Sequence, residues 1–252
     1  RKIALSGTPM EKNPADLWSI LNWLQPSQYT TYWGFFNKYV KTAENYLGYK
    51  IVIGGQNLDE LAKEVAPFFL RRTKTEVAPQ LPPKIMQRVS VDMEPEQQHI
   101  YKKIKDSKDI EVDLGLSEPM LITNALAKIV RLQQVSSDPW MLGFDITSAK
   151  IDWVLDYVED NPEEPIVVFT KFRETAQRLA NNLKADLIIG GQKVTGGSDF
   201  LNGSTNVLVG TIAAMGEGLN LQRATTAIFL DQEWSSVKMT QAVDRIHRID
   251  DV

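Results

Sequence analysis

The sequence predicts an α/β fold, with a doubly wound parallel sheet in the later part of the chain and a mostly helical stretch before it. Three observations carry this. The run Ile166-Val167-Val168-Phe169 is continuously apolar, as strands buried on both faces of a parallel sheet are. Similar short runs recur at 187–189, 207–209 and 227–230, alternating with segments of helical spacing, the signature of helices covering both faces of one sheet. The earlier stretch is read as mostly helical from the apolar spacing at 14–24 and 58–69.

Taken in order, residues 14–24 place Leu17, Ile20, Leu21 and Leu24 on one helical face, with Pro14 in the first turn and Pro26 closing the segment. Tyr29, Tyr32, Trp33, Phe35, Phe36 and Tyr39 follow. Such aromatics serve either as a packed core or as a base-stacking platform, and the core is the better reading. A second amphipathic helix over 58–69 runs into Leu70-Arg71-Arg72-Thr73-Lys74. In Leu81-Pro82-Pro83-Lys84 the double proline cannot continue a helix, which sets a boundary or linker near residue 84.

Beyond it, 85–91 reads as an extended strand, 95–105 and 125–135 as helices, and 106–120 as the least patterned stretch. Ser148 suits the N-cap of a helix carrying Ile151, Val154, Leu155 and Val158 on one face. Phe172, Ala176, Leu179, Ala180 and Leu183 align on the helix after the first sheet strand.

Composition narrows the function classes. The chain has 252 residues, a formal net charge of −4 and no cysteine, which excludes a disulfide framework and a thiolate metal site. Its two histidines, His99 and His247, lie too far apart in sequence to suggest a zinc site. No apolar run approaches the roughly 18 residues that span a bilayer, and no signal peptide opens the chain. The expectation is a cytoplasmic or nucleoid-associated, intracellular protein. Charge gives no global nucleic-acid signature, although a local groove matters more than the sum. Both ends read as cuts through a longer protein.

In an open α/β sheet, ligands bind beyond the carboxyl ends of the strands. There the sequence places Thr170-Lys171-Phe172-Arg173, the segment from Gly210-Thr211 to Gly216-Glu217-Gly218-Leu219-Asn220-Leu221, and Asp231-Gln232-Glu233-Trp234. The glycines and Thr211 either let backbone amides approach a phosphate or merely shape a turn. Neither G-x-G-x-x-G after the first strand nor G-x-x-x-x-G-K-[ST] occurs, so the chain has no dinucleotide fingerprint and no P-loop of its own. In the last predicted helix, Gln241, Arg245 and Arg248 fall at i, i+4 and i+7 and share a face, while Met239, Val243 and Ile246 point elsewhere. Two guanidiniums and an amide so aligned form either an anion-recognition edge or a solvated charged face.

Together these segments resemble the Swi/Snf-type branch of superfamily-two helicase-like ATPases, in that family's order. Leu5-Ser6-Gly7-Thr8-Pro9 with the helix after it resembles motif III. The 70–74 and 81–84 segments resemble the crossing between two lobes. Val168-Phe169-Thr170 resembles motif IV, the 210–221 segment motif V, and Gln241-Ala242-x-x-Arg245-x-x-Arg248 motif VI. Asp250-Asp251 stand where the family usually has Gly-Gln.

The resemblance implies that residues 1–84 are the end of a RecA-like lobe one, with a helical protrusion and linker, and that 85–252 are the RecA-like C-terminal lobe. It implies ATP and Mg²⁺ as cofactors of the full-length protein, with none expected bound to this chain. It implies duplex DNA and an N-terminal ATP-binding lobe as partners, and no membrane. Arg245 and Arg248 become arginine fingers, with Gln241 positioning. Gly216, Glu217, Gly218 and Asn220 contact or couple the nucleotide. Thr170, Lys171, Arg173 and Thr211 meet the nucleic-acid backbone, and Ser6, Gly7 and Thr8 relay nucleotide state between lobes. The activity implied is ATP-dependent translocation. A non-catalytic binding module and a strand-separating helicase are the alternatives.

Overall fold

A computed structural model describes residues 2–108, 111–116, 118–191, 197–216 and 219–248. The chain divides into two compact units, Arg1–Gln80 and Leu81–Val252. The double-proline segment, near which the sequence reading set its boundary, therefore falls at the start of the second unit.

The first unit opens on a 3-10 turn, Pro14–Leu17, closed by a reciprocal cap between Asn13 and Asp16. Helices α1 (Trp18–Leu24), α2 (Tyr32–Tyr39), α3 (Leu58–Val65) and the single turn α4 (Lys74–Val77) follow. Thr31 caps α2 through the Gly34 amide. Between α2 and α3 the chain forms an antiparallel hairpin, β1 (Val40–Glu44) with β2 (Lys50–Gly55). The sequence does not announce this hairpin as a helix-to-strand switch, because the aromatic run leads straight into it. Its local signal is Asn45, whose side chain accepts from the Leu47 and Tyr49 amides, and Gly48 at φ 78, which is left-handed backbone that glycine tolerates. Leu21, Tyr29, Phe35, Tyr39 and Leu61 make the core. The aromatics thus divide: Tyr29, Phe35 and Tyr39 are buried, whereas Trp33 is largely exposed.

In the second unit, α5 (Pro95–Asp106) and α6 (Ala125–Ser137) pack around the short hairpin β3 (Glu111–Val112) and β4 (Met120–Leu121). Ile100, Ile104, Val112, Leu114, Met120, Ile122 and Val135 fill that core. Residues 85–91 form no strand, contrary to the expectation. Ile85, Met86, Val89 and Val91 are exposed, and alternation alone supplies no partner strand.

The sheet is fully parallel, in the order β6 (Asp186–Ile188), β7 (Val207–Thr211), β5 (Ile166–Thr170), β8 (Thr226–Phe229). Its side chains alternate between two cores. Ile166, Val168, Val207 and Val209 meet Ile151 and Val154 of α7 (Ala149–Asp160) and Ala176, Leu179 and Ala180 of α8 (Arg173–Leu183). Val167, Phe169 and Leu208 face the opposite way. They meet Phe200 of α9 (Ser198–Asn202), Ile212 and Met215 of α10 (Ile212–Met215), and Ala242 of α11 (Ser236–Val243). Helices on both faces make this the doubly wound α/β architecture expected. Ser148 begins α7 without a side-chain cap. Its hydroxyl donates instead to the Ser137 carbonyl at 2.5 Å.

Candidate functional site

The carboxyl ends of β5 and β7 lie side by side, with Thr170 and Thr211 as register partners. Thr170 is wholly buried, and its hydroxyl donates to Asp231 Oδ2 at 2.6 Å. The same oxygen accepts from the Lys171 amide at 3.1 Å and from Ser137 Oγ at 3.1 Å. Lys150 Nζ donates to the Leu230 carbonyl at 3.0 Å and stands 3.9 Å from Asp231 Oδ1. One buried carboxylate thus ties together the ends of β5, α6 and α7 with the segment after β8. A buried carboxylate needs such donors to offset its desolvation. The sequence marks Asp231 only as a residue following a strand, and its hub role follows from the packing.

Thr211 caps α10 by accepting from the Ala214 amide at 3.4 Å. Lys171 Nζ donates to Gln133 Oε1 at 3.0 Å, and the exposed Arg173 reaches the Gly190 carbonyl at 3.3 Å. At the end of β5 the cations Lys171 and Arg173 reach outward. The two threonine hydroxyls are engaged inside the fold.

The terminal arginines differ from their sequence picture. Helix α11 ends at Val243, and Asp244 to His247 continue as turns. The Arg245 amide bonds to the Ala242 carbonyl, and that of Arg248 to the Ile246 carbonyl. The i, i+4, i+7 face therefore holds only for Gln241 on the helix itself. Tertiary contact replaces it. Arg245 Nε donates to the Gly216 carbonyl at 3.0 Å, and the Arg245 carbonyl accepts from the Leu221 amide at 3.1 Å. The structure thus brings Gly216 and Arg245 together. Asn220 is exposed, donating to Gln222 Oε1 at 3.1 Å. Glu217, Gly218, Asp250 and Asp251 lie outside the described residues.

Arg223 offers a contrast. Its Nη1 donates to the Phe200 and Thr205 carbonyls at 2.9 Å each, and its Nη2 to Asn206 Oδ1. That guanidinium is structural. Arg245 and Arg248, both half-buried, use Nε atoms, toward Gly216 and the Asp244 carbonyl (3.4 Å) respectively. No hydrogen bond among the described residues engages their terminal nitrogens. Those forked donors are the groups that meet phosphate oxygens bidentately. In the first unit, Ser6 Oγ accepts from the Thr8 amide at 3.2 Å in an exposed turn around Gly7. Among the described residues no group of three or more His, Cys, Asp or Glu is placed to hold a metal, and no helix is long and apolar enough to cross a membrane.

An arginine-bearing turn is thus locked to a glycine segment beside the parallel sheet. The profile described as SNF2-related domain matches residues 1–141, and that described as Helicase conserved C-terminal domain matches residues 149–250. The chain belongs to the SNF2-related family. It is 28% identical to the "Uncharacterized ATP-dependent helicase MG018" of Mycoplasma genitalium, over 98% of this chain and 24% of that protein. It is 29% identical to the "Putative ATP-dependent helicase/translocase YwqA" of Bacillus subtilis, over 98% of this chain and 28% of that protein. It is also similar, at 23% identity and a TM-score of 0.45, to the structure described as "Sulfolobus solfataricus SWI2/SNF2 ATPase core in complex with dsDNA", over 98% of this chain and 54% of that one. The chain spans about a quarter of the length of these curated relatives.

Proposed function

We propose that this chain is the C-terminal half of an ATP-driven translocase on double-stranded DNA, contributing arginine fingers and DNA-backbone contacts. The observation that carries this reading is the Arg245–Gly216 bond, which holds the arginine turn to the glycine segment while leaving the terminal guanidinium nitrogens to an anion. Family membership adds independent support.

In this reading residues 1–84 close lobe one and 85–252 form lobe two. The P-loop, absent from these residues, comes from elsewhere in the whole protein, where ATP and Mg²⁺ bind. The nucleotide supplies a γ-phosphate whose charge must be stabilised during transfer. Arg245 and Arg248 place positive charge there, and Gln241 orients the nucleotide. Gly216, Glu217, Gly218 and Asn220 couple that site to the DNA track. Lys171 and Arg173 meet backbone phosphates without reading sequence, and Thr170 and Thr211 fix the strand ends from which they project. Ser6, Gly7 and Thr8 transmit nucleotide state. The setting is intracellular.

Arg248→Ala in the full-length protein tests this. DNA-stimulated turnover should fall by about 10³-fold or more, as for a lost arginine finger, with ATP affinity changed far less. Near-normal turnover would return Arg248 to a solvated charged face.

A further inference from the structure

The arginine turn lies beyond the end of α11, where the backbone ladder gives way to turn bonds, apart from His247 N to the Val243 carbonyl, and a second device adds to what keeps it in place. The segment Pro82-Pro83-Lys84, some 160 residues earlier, reaches this turn within the second unit. Lys84 Nζ meets Asp244 Oδ1 at 2.7 Å, with both side chains about one third exposed. His247 Nε2 lies 2.8 Å from the Pro82 carbonyl. That carbonyl accepts only, so the ring nitrogen carries the proton.

The placement of these contacts is what makes them informative. Asp244 immediately precedes Arg245, and His247 immediately precedes Arg248. Asp244 also gives its backbone carbonyl to Arg248 Nε. Each contact thus falls on the residue before one arginine. The strap itself is stiff, because two consecutive prolines fix φ and donate no amide that could divert it into a helix. A one-third-exposed ion pair contributes little to global stability, roughly 0–1 kcal/mol. Its value is in fixing where the guanidiniums sit.

We propose that Lys84 and His247 are positioning residues that clamp the 82–84 strap onto the arginine turn and hold Arg245 and Arg248 in register for phosphate. This rests on the finger reading above. It adds residues that touch no nucleotide, and it makes the proline segment part of the catalytic lobe's geometry as well as a linker.

The test uses the full-length protein, with DNA-stimulated ATP turnover, ATP affinity and thermal unfolding measured side by side. Lys84→Ala and His247→Leu should each lower kcat by about 10- to 100-fold, the range expected when a catalytic group is misplaced by about 1 Å. ATP affinity and unfolding temperature should stay close to those of the parent. Lys84→Arg, which keeps the charge, and His247→Gln, which keeps a donor for the Pro82 carbonyl, should retain most turnover. The Lys84→Asp/Asp244→Lys exchange should recover part of what Lys84→Asp loses.

Arg245→Ala and Arg248→Ala, run in parallel, separate the two claims. If they are inactive while Lys84→Ala and His247→Leu turn over normally, the strap proposal falls and the finger reading stands. If the arginine variants are themselves normal, the finger reading fails first. If Lys84→Ala lowers kcat only together with unfolding temperature, or Lys84→Arg is no better than Lys84→Ala, the segment is structural and positioning is overturned.

Discussion

Asp138 is a carboxylate held wholly away from solvent, where α6 gives way to the turn at Pro139–Leu142. Arg178 Nη1 pairs with its Oδ1 at 2.6 Å, and the Trp140 amide donates to the same oxygen at 3.2 Å. Its Oδ2 is buried and meets no donor among the described residues. Burial is the largest influence and raises its pKa above the ordinary 3.8, against the pull of Arg178 and the Trp140 amide. A carboxyl whose folded pKa is raised favours the fold below its unfolded pKa, and that contribution is lost as pH rises through the folded value. Arg178→Ala removes the compensating cation and raises the folded pKa further. The variant should therefore lose roughly 3–5 kcal/mol near neutral pH, as for a buried pair stripped of one partner. The loss should shrink as pH falls toward the ordinary aspartate range. Urea unfolding at several pH values checks this. A loss independent of pH would assign the effect to Arg178 packing over the Trp140 ring, 5.5 Å from its centroid.

Strand β7 illustrates how an element depends on one missing side chain. A Cβ on Gly210 would come within 2.3 Å of the Ile188 carbonyl oxygen in β6 and 2.8 Å of Met215 Sδ. The backbone oxygen cannot step aside, so β6 and β7 pair closely only with glycine there. Gly210→Ala should destabilise the chain by about 1–3 kcal/mol through overpacking, read as a lower urea midpoint with an unchanged slope. A neutral result would mean that β6 shifts freely. This constraint was not legible in the sequence, where Gly210 reads as a phosphate-approach or turn glycine. The sheet strands were legible because long apolar runs between helical segments admit few other readings. The β1–β2 hairpin was not, since short strands between amphipathic helices carry a weak period. Nor was the end of α11 at Val243. Its helical spacing continues through Arg248, and only the backbone bonds from Arg245 to Ala242 and from Arg248 to Ile246 show where the ladder stops.

For the chain as a whole, the ordered segments 5–9, 70–74, 81–84, 168–170, 210–221 and 241–248 made the family legible. The division of labour within the site was not. Thr170 and Thr211 look like surface hydroxyls at strand ends, yet one is wholly buried on Asp231 and the other caps α10. Burial decides this, and sequence spacing does not encode it. On the proposed reading, Lys171 and Arg173 are the cations of this edge that meet DNA, on a chain of net charge −4. Binding through so few cations should be weak, indifferent to base sequence and steeply lost with salt, because each neutralised phosphate contributes about −0.9 to the slope of log affinity against log salt on duplex DNA. Replacing Lys171 or Arg173 by Ala should make that slope shallower by about 1 apiece and weaken random and A·T-rich duplexes equally. Titrations at three salt concentrations with both duplexes measure slope and preference together. An unchanged slope in the Arg173→Ala chain would place the DNA path elsewhere. A preference for one duplex would require side chains reaching base edges in a groove, which cations paired to Gln133 and Gly190 at strand ends do not provide.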